Sequence, residues 1–257
     1  MSAIMQHAHA SVDFMAKLQH SRDMLLQLAL AHPVPAGATR PVVVQASSLG
    51  AEDMVITHLI NTLELDVGIF VLQTGMLHAE TLALLQRLQA TSRAPVTVYR
   101  PRHEAVVQFV TREGDDAMFR SIALRKQCCD IRKIEPLSRA LDGALAWITG
   151  LRREQSGARA DVPLIDTTDA SRIKLNPLAD WTWGDIWHYI AAHAVAYNPL
   201  HDQFYPSIGC APCTRAISLG EDFRAGRWWW ENDDSKECGL HVAHTTQQPT
   251  QTEVIPA

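Results

Sequence analysis

The chain predicts an α/β fold in which a parallel sheet is flanked by helices, and three observations lead to it. Short β-branched, apolar runs alternate with helical patterns through the first half of the sequence. The runs are apolar on both sides, as strands covered by helices on both faces must be. The first of them leaves through a Ser/Gly turn straight into a helix, and ligands of such sheets sit at the carboxyl ends of the strands.

Taken in order, residues 8–31 carry a helical pattern in Phe14, Leu18, Met24, Leu25 and Leu28. Residues 42–45 form a β-branched run between Pro41 and the turn at 47–50, which reads as a buried strand. Residues 51–63 read as a helix, 66–72 as a second buried strand, 80–90 as a second helix and 96–99 as a third strand. Further strands are expected at 144–149 and 162–165. In the second half, Trp183, Ile186, Trp187 and Ile190 share one helical face, opened by a capping box of Thr182 and Asp185. From residue 197 to 240 the chain is rich in loops and holds three of the five cysteines. Residues 1–243 are expected to form one domain, followed by a polar, disordered tail over 244–257.

The composition narrows the function classes. A length of 257 residues allows one sizeable core. With 47% hydrophobic and 20% charged residues the balance is that of a globular protein. A net charge of -5 supplies no basic field for nucleic acid. No apolar run is long enough to cross a membrane, and the first residues lack the pattern of a signal peptide, so a cytoplasmic location is expected. Five cysteines in such a chain argue against a disulfide framework. The sequence is compatible with a homo-oligomer and fixes no subunit number.

The cysteines are grouped. Cys128 and Cys129 are adjacent, Cys210 and Cys213 form C-x-x-C on a Gly/Pro-shaped loop, and Cys238 stands alone. Adjacent cysteines bond to each other only with backbone strain, so four plus one suggests a metal or cluster site and a separate reactive thiol. Four sulfur ligands suit zinc or iron–sulfur alike. Arg125, Lys126, Arg132 and Lys133 around the first pair would offset thiolate charge.

Other segments suggest an anion site. Gln45 to Asp53 leaves a strand through Ser47, Ser48 and Gly50, where backbone N–H groups and a helix N-terminus favour phosphate. The strand end Leu72-Gln-Thr-Gly-Met76 would lie beside it, with His78 a further polar contact. Arg224 and Arg227 are spaced to clamp a doubly charged anion and precede Lys236, Cys238 and His241. The three tryptophans at 228–230 are expected to pack and anchor the loops around them.

Together these segments, from residue 42 to 241, resemble the sulfonucleotide reductase family, and within it the iron–sulfur adenylyl-sulfate (APS) reductases. The resemblance rests on Cys-Cys at 128–129, C-x-x-C at 210–213, Arg-x-x-Arg-Trp-Trp-Trp-Glu at 224–231 and Lys-Glu-Cys-Gly-Leu-His at 236–241. It implies a PP-loop, adenine-nucleotide hydrolase-like fold and a modified phosphate loop at 47–53. It implies a [4Fe–4S] cluster on Cys128, Cys129, Cys210 and Cys213 that shapes the site without passing electrons. Substrate contacts are implied for Ser47, Ser48, Gly50, Lys133, Arg152, Arg224, Arg227 and His241, and the nucleophile is Cys238. The reaction implied is assimilatory reduction of APS to sulfite and AMP through an S-sulfocysteine. Thioredoxin or a glutaredoxin-like protein then resolves that adduct, since no fused thioredoxin-like domain follows. The chain departs from the family's Leu-Asp-Thr-Gly-Arg at Gln73 and Met76. The alternatives are a reductase of 3′-phosphorylated APS (PAPS), or an ATP-using PP-loop tRNA thiolase, whose Ser-Gly-Gly-x-Asp-Ser differs from Ser-Leu-Gly-Ala-Glu-Asp at 48–53.

Overall fold

In the computed structural model, which describes residues 2–38 and 40–231, a six-stranded sheet carries the fold. Cys238, Lys236, His241 and the tail at 244–257 lie outside the described residues. The strands are β1 (Val43–Ser47), β2 (Gly68–Leu72), β3 (Val96–Tyr99), β4 (Ala146–Ile148), β5 (Ile165–Asp166) and β6 (Ile173–Leu175). Their order is β3-β2-β1-β4-β6-β5, parallel except for the β5–β6 pair. The register sets Gln45 beside Ile69 on one side and Ile148 on the other, so β1 is central.

Helices α1 (Ala3–His7), α2 (Phe14–Ala31), α3 (Ala51–Thr62) and α4 (Ala79–Thr91) precede or connect the first strands. They are followed by α5 (His103–Glu113), α6 (Ile122–Cys129), α7 (Glu135–Leu141) and α8 (Trp183–Ala192). The main core joins β1, β2 and β4 to the buried stripes of α2, α3, α4 and α8 through Val43, Ile56, Ile69, Ile148, Trp187 and Ile190. A second apolar cluster lies on the other face of the sheet, around Val44, Phe70 and Leu141 of α7. Both faces are therefore covered, which is why β1 and β2 read as continuous apolar runs.

Two sequence expectations shift. The strand expected at 162–165 shrinks to the two-residue β5, which runs antiparallel to β6, and β6 itself carries no sequence mark because only Ile-Lys-Leu pairs. The helical pattern of 8–31 begins at Phe14, because residues 9–13 turn to meet α8. Among the described residues no helix is long and apolar enough to cross a membrane.

The capping box at α8 is present: Thr182 accepts from the Asp185 N–H, and Asp185 accepts from the Thr182 N–H at 3.0 Å each. Asp185 also accepts from the Ser11 N–H at 2.7 Å and from Lys17 Nζ at 3.2 Å. One buried carboxylate thus fastens the N-terminal segment to α8. Burial alone would raise its pKa, but the hydrogen bonds from Ser11 and Thr182 outweigh it and hold the carboxyl below its ordinary value. A depressed carboxyl stabilises the fold above the unfolded pKa and loses that contribution as pH falls through the folded value. Asp185→Asn should cost about 2 kcal/mol at neutral pH and flatten the loss of stability below pH 4, both read by urea denaturation at a series of pH values.

Candidate active site

The strand order reverses at β1, with β2 and β3 on one side and β4, β6 and β5 on the other. A crevice forms at such a point, outside the carboxyl ends of the strands. A cavity of about 200 Å³ opens there. Its lining includes the ends of β1 and β2 and the loops that follow β1, β2 and β4, through Ser47, Ser48, Gly50, Leu72, Thr74, Thr149 and Gly150. Phe70, Leu72 and Trp147 give one part of the wall an apolar, aromatic character.

The loop after β1 is held from inside. The Ser48 N–H and Oγ both donate to Asp53 Oδ2, at 2.7 and 2.6 Å, and Leu49 takes a left-handed φ of 64° in the turn. Gln45 donates to the Asp53 carbonyl and accepts from Thr57, which locks β1 to α3. Gly150 is required by close approach, because a Cβ there would lie 2.5 Å from Asp53 Oδ1. Burial, joined by the neighbouring Glu52 charge, pushes the Asp53 carboxyl up to about 6 against the pull of the Ser48 hydrogen bonds. The Asp53 carboxylate is thus turned into the loop, where the Ser48 N–H and Oγ hold it.

Of the cations expected at an anion, Lys133, Arg224 and Arg227 all reach the cavity wall. Arg227 packs its guanidinium against Gly209, where a Cβ would clash, and lies over the Trp228 ring with its Cζ 4.7 Å from the centroid. Arg152 stands apart from these three. It is wholly buried behind the wall: its Nε donates to Glu52 at 3.0 Å, and its Nη1 donates to Glu154 at 2.7 Å and to the Trp181 carbonyl. Two carboxylates, Glu52 and Glu154, engage it, while its buried Nη2 has no hydrogen-bond partner among the described residues. The cation that the same loop does bring to the cavity is Arg159, unmarked in the sequence because it stands in an irregular Gly-Ala-Arg turn at 157–159. Its only trace is that it is the third arginine of the run Arg-Arg-Glu-Gln-Ser-Gly-Ala-Arg at 152–159.

The four clustered cysteines come together beside this wall. Cys128 and Cys129 end α6, Cys210 and Cys213 come from the loop at 209–213, and all four are buried and free of disulfides. They share one apolar shell with Phe109, Met118 and Trp228. After Cys129 the chain widens into a π-helical turn, Asp130–Ile134, a feature that marks functional sites in helices and that places Arg132 and Lys133 against the sulfurs. Burial pushes the Cys128 thiol up although Arg132 and Lys133 pull the other way, and it pushes Cys213 up to about 12, helped by the Cys210 charge. Thr74 Oγ1 lies 3.2 Å from Cys210 Sγ, so the strand end after β2 touches the same group. At the two departures from the family pattern, Gln73 Oε1 accepts from the Gly75 N–H and closes the turn, while Met76 packs on the cysteine shell.

The chain matches the phosphoadenosine phosphosulfate reductase domain over residues 42–216. It belongs to that family. Among curated relatives, the adenosine 5′-phosphosulfate reductase of Burkholderia cepacia is 52% identical over 209 residues, covering 81% of this chain and 84% of the relative. That of Allochromatium vinosum is 52% identical over 200 residues, covering 77% and 78%. Among solved structures, the phosphate complex of the phosphoadenylyl-sulfate reductase of Candida auris overlays with a TM-score of 0.62 at 24% identity, over 81% of this chain and 98% of that one. Yeast FAD synthetase overlays with a TM-score of 0.53 at 11% identity, over 83% and 73%. Both likenesses concern the fold alone.

Beyond the wall, Arg125 of α6 forms a bidentate, fully buried ion pair with Glu231, through Nε at 2.9 Å and Nη2 at 2.7 Å. Its Cζ lies 4.8 Å from the Trp228 ring centroid. This pair ties the helix that ends in Cys128 and Cys129 to the segment that carries Arg224 and Arg227. Glu231→Ala should destabilise the fold by about 3–5 kcal/mol, because a buried guanidinium loses its counter-ion. The double variant Arg125→Met/Glu231→Leu should be less destabilised than the single one, as chemical denaturation will show.

Proposed function

We propose that the chain reduces adenosine 5′-phosphosulfate to sulfite and AMP. The observation that carries this reading is the joining, in one cavity, of a strand-to-helix phosphate loop, the cations Lys133, Arg159, Arg224 and Arg227, and Cys210 of a four-thiol shell. The apolar patch of Phe70, Leu72 and Trp147 suits the base of a nucleotide. The cations and the loop N–H groups suit its phosphosulfate.

On this reading the cationic wall orients the sulfur for in-line attack and gathers charge on the departing phosphate. The thiolate of Cys238 supplies the electron pair: an S–S bond forms to the sulfonyl sulfur, the S–O bond breaks, and AMP leaves with the electrons of that bond. A dithiol protein such as thioredoxin then attacks the cysteine sulfur and expels sulfite. Its second thiol closes the reductant's disulfide and returns the enzyme thiol. A cytoplasmic, reducing setting fits a chemistry that consumes dithiol and a shell of free cysteines.

Cys128, Cys129, Cys210 and Cys213 would hold the [4Fe–4S] cluster. The donor set fits: four buried thiols in an apolar shell cannot all ionise without a cationic group among them, and Arg132 and Lys133 flank them. When bound, the cluster would supply a fixed charge beside the anion-binding residues and a link between α6 and the loop at 209–213. Anaerobically purified protein should contain four irons and four sulfides per chain; stoichiometric zinc without sulfide would remove this part of the reading.

A single-turnover experiment tests the reaction. Protein mixed with APS and no reductant should release one AMP per chain and no sulfite, and gain the mass of one sulfonate on the peptide containing Cys238. Thioredoxin should then discharge that mass as sulfite, and Cys238→Ser should form no adduct. An adduct on another cysteine would displace the mechanism, and a higher kcat/KM with PAPS would move the substrate to the 3′-phosphorylated nucleotide.

A further inference from the structure

We infer that Gln155 is a positioning residue, oriented by the buried carboxylate of Glu52, that holds the Arg159 guanidinium against the cavity. Three hydrogen bonds carry the inference. Gln155 Nε2 donates to Glu52 Oε1 at 3.0 Å, Arg159 Nη1 donates to Gln155 Oε1 at 2.7 Å, and the Arg152 N–H donates to that same Oε1 at 3.1 Å. Gln155 Nε2 also reaches the Gly150 carbonyl at 3.2 Å. All the groups involved are buried or nearly so.

The amide can face only one way. Glu52 is ion-paired with Arg152, accepts hydrogen bonds and donates none, so the NH₂ end of Gln155 must turn toward it. That leaves the carbonyl end for Arg159, which has donors only. Glu52 lies in the first turn of α3, immediately after the phosphate loop, whereas Gln155 and Arg159 belong to the loop after β4. The chain Glu52–Gln155–Arg159 therefore sets a cavity-lining cation at a fixed distance from the phosphate loop across the crevice. Arg152 is the counter-ion that lets Glu52 stay buried.

The consequence for binding rests on the proposed nucleotide function. Gln155→Met, which keeps the length and removes both polar ends, should weaken AMP about 10- to 100-fold, as the loss of a hydrogen bond to a charged group implies. Arg159→Ala should weaken it at least as much. In the double variant the loss should be no greater than in Arg159→Ala alone, because Gln155 acts through that residue. AMP titration calorimetry on the cluster-loaded protein reads all four forms, and steady-state kinetics with APS should show the change mostly in KM. Wild-type affinity in Gln155→Met, or additive losses in the double variant, would overturn the inference. A crystal structure of Gln155→Met without nucleotide gives a reading independent of function: an Arg159 withdrawn from the wall supports the relay, and an unmoved one refutes it. Failure of the wild-type protein to bind AMP would instead count against the nucleotide reading, and that structure would still decide the relay. Should Gln155→Met not fold, Gln155→Glu serves the same tests. It sets a second carboxylate against Glu52, so Arg159 should shift and AMP should weaken; an unchanged Arg159 and unchanged affinity would refute the relay.

Discussion

The site depends on a carboxylate buried where the loop after β1 enters its helix. Glu52 is out of water in the first turn of α3, and an unpaired charge there would be ruinous to the fold. Arg152 answers it from the loop after β4, through a guanidinium that is itself wholly buried. The pair makes the loops of two neighbouring strands one unit. Gly150 allows it, because any side chain at that position would strike Asp53 and Glu52. The crevice between β1 and β4 is thus shaped by ionic closure at its back and lined by cations at its front.

A second closure works in the same way some distance along the wall. Arg125 and Glu231 are both buried, and the Trp228 ring lies beneath the guanidinium groups of Arg125 and Arg227. The cysteines of α6 and of the 209–213 loop are thereby held in one shell with the tryptophan. A cavity-lining arginine, an aromatic ring and two sulfur-bearing segments share their packing. A change in any one of them reaches the others without long-range motion, since interiors at crystal-like density transmit displacement.

Much of this was legible in the residues because it is local. The strands at 42–45, 66–72 and 96–99 announce themselves as β-branched apolar runs, and the capping box of Thr182 and Asp185 is a short-range motif with short-range geometry. The strand, the Ser/Gly turn and the helix over 43–62 follow one another as the residues suggest. Lys133, Arg224 and Arg227 were marked by their neighbours, and all three reach the cavity. That Arg159 lines the cavity while Arg152 pairs with Glu52 was not legible. Both are arginines in one short loop, and only the position of Glu52, a hundred residues earlier, decides which is consumed and which is presented.

The sequence alone determined the alternation of strands and helices, the grouping of cysteines as four and one, and the resemblance that these motifs carry in order. Those properties are written in composition, period and spacing, which need no knowledge of what lies across the sheet. Tertiary structure decided the order β3-β2-β1-β4-β6-β5, and with it the crevice at β1. It decided that the Asp53 carboxyl is raised and that the acids of the loop face inward. It also decided which charged groups pair with each other and which line the cavity. Burial is a property of the assembled layers, and the energy of a charge depends first on whether water can reach it.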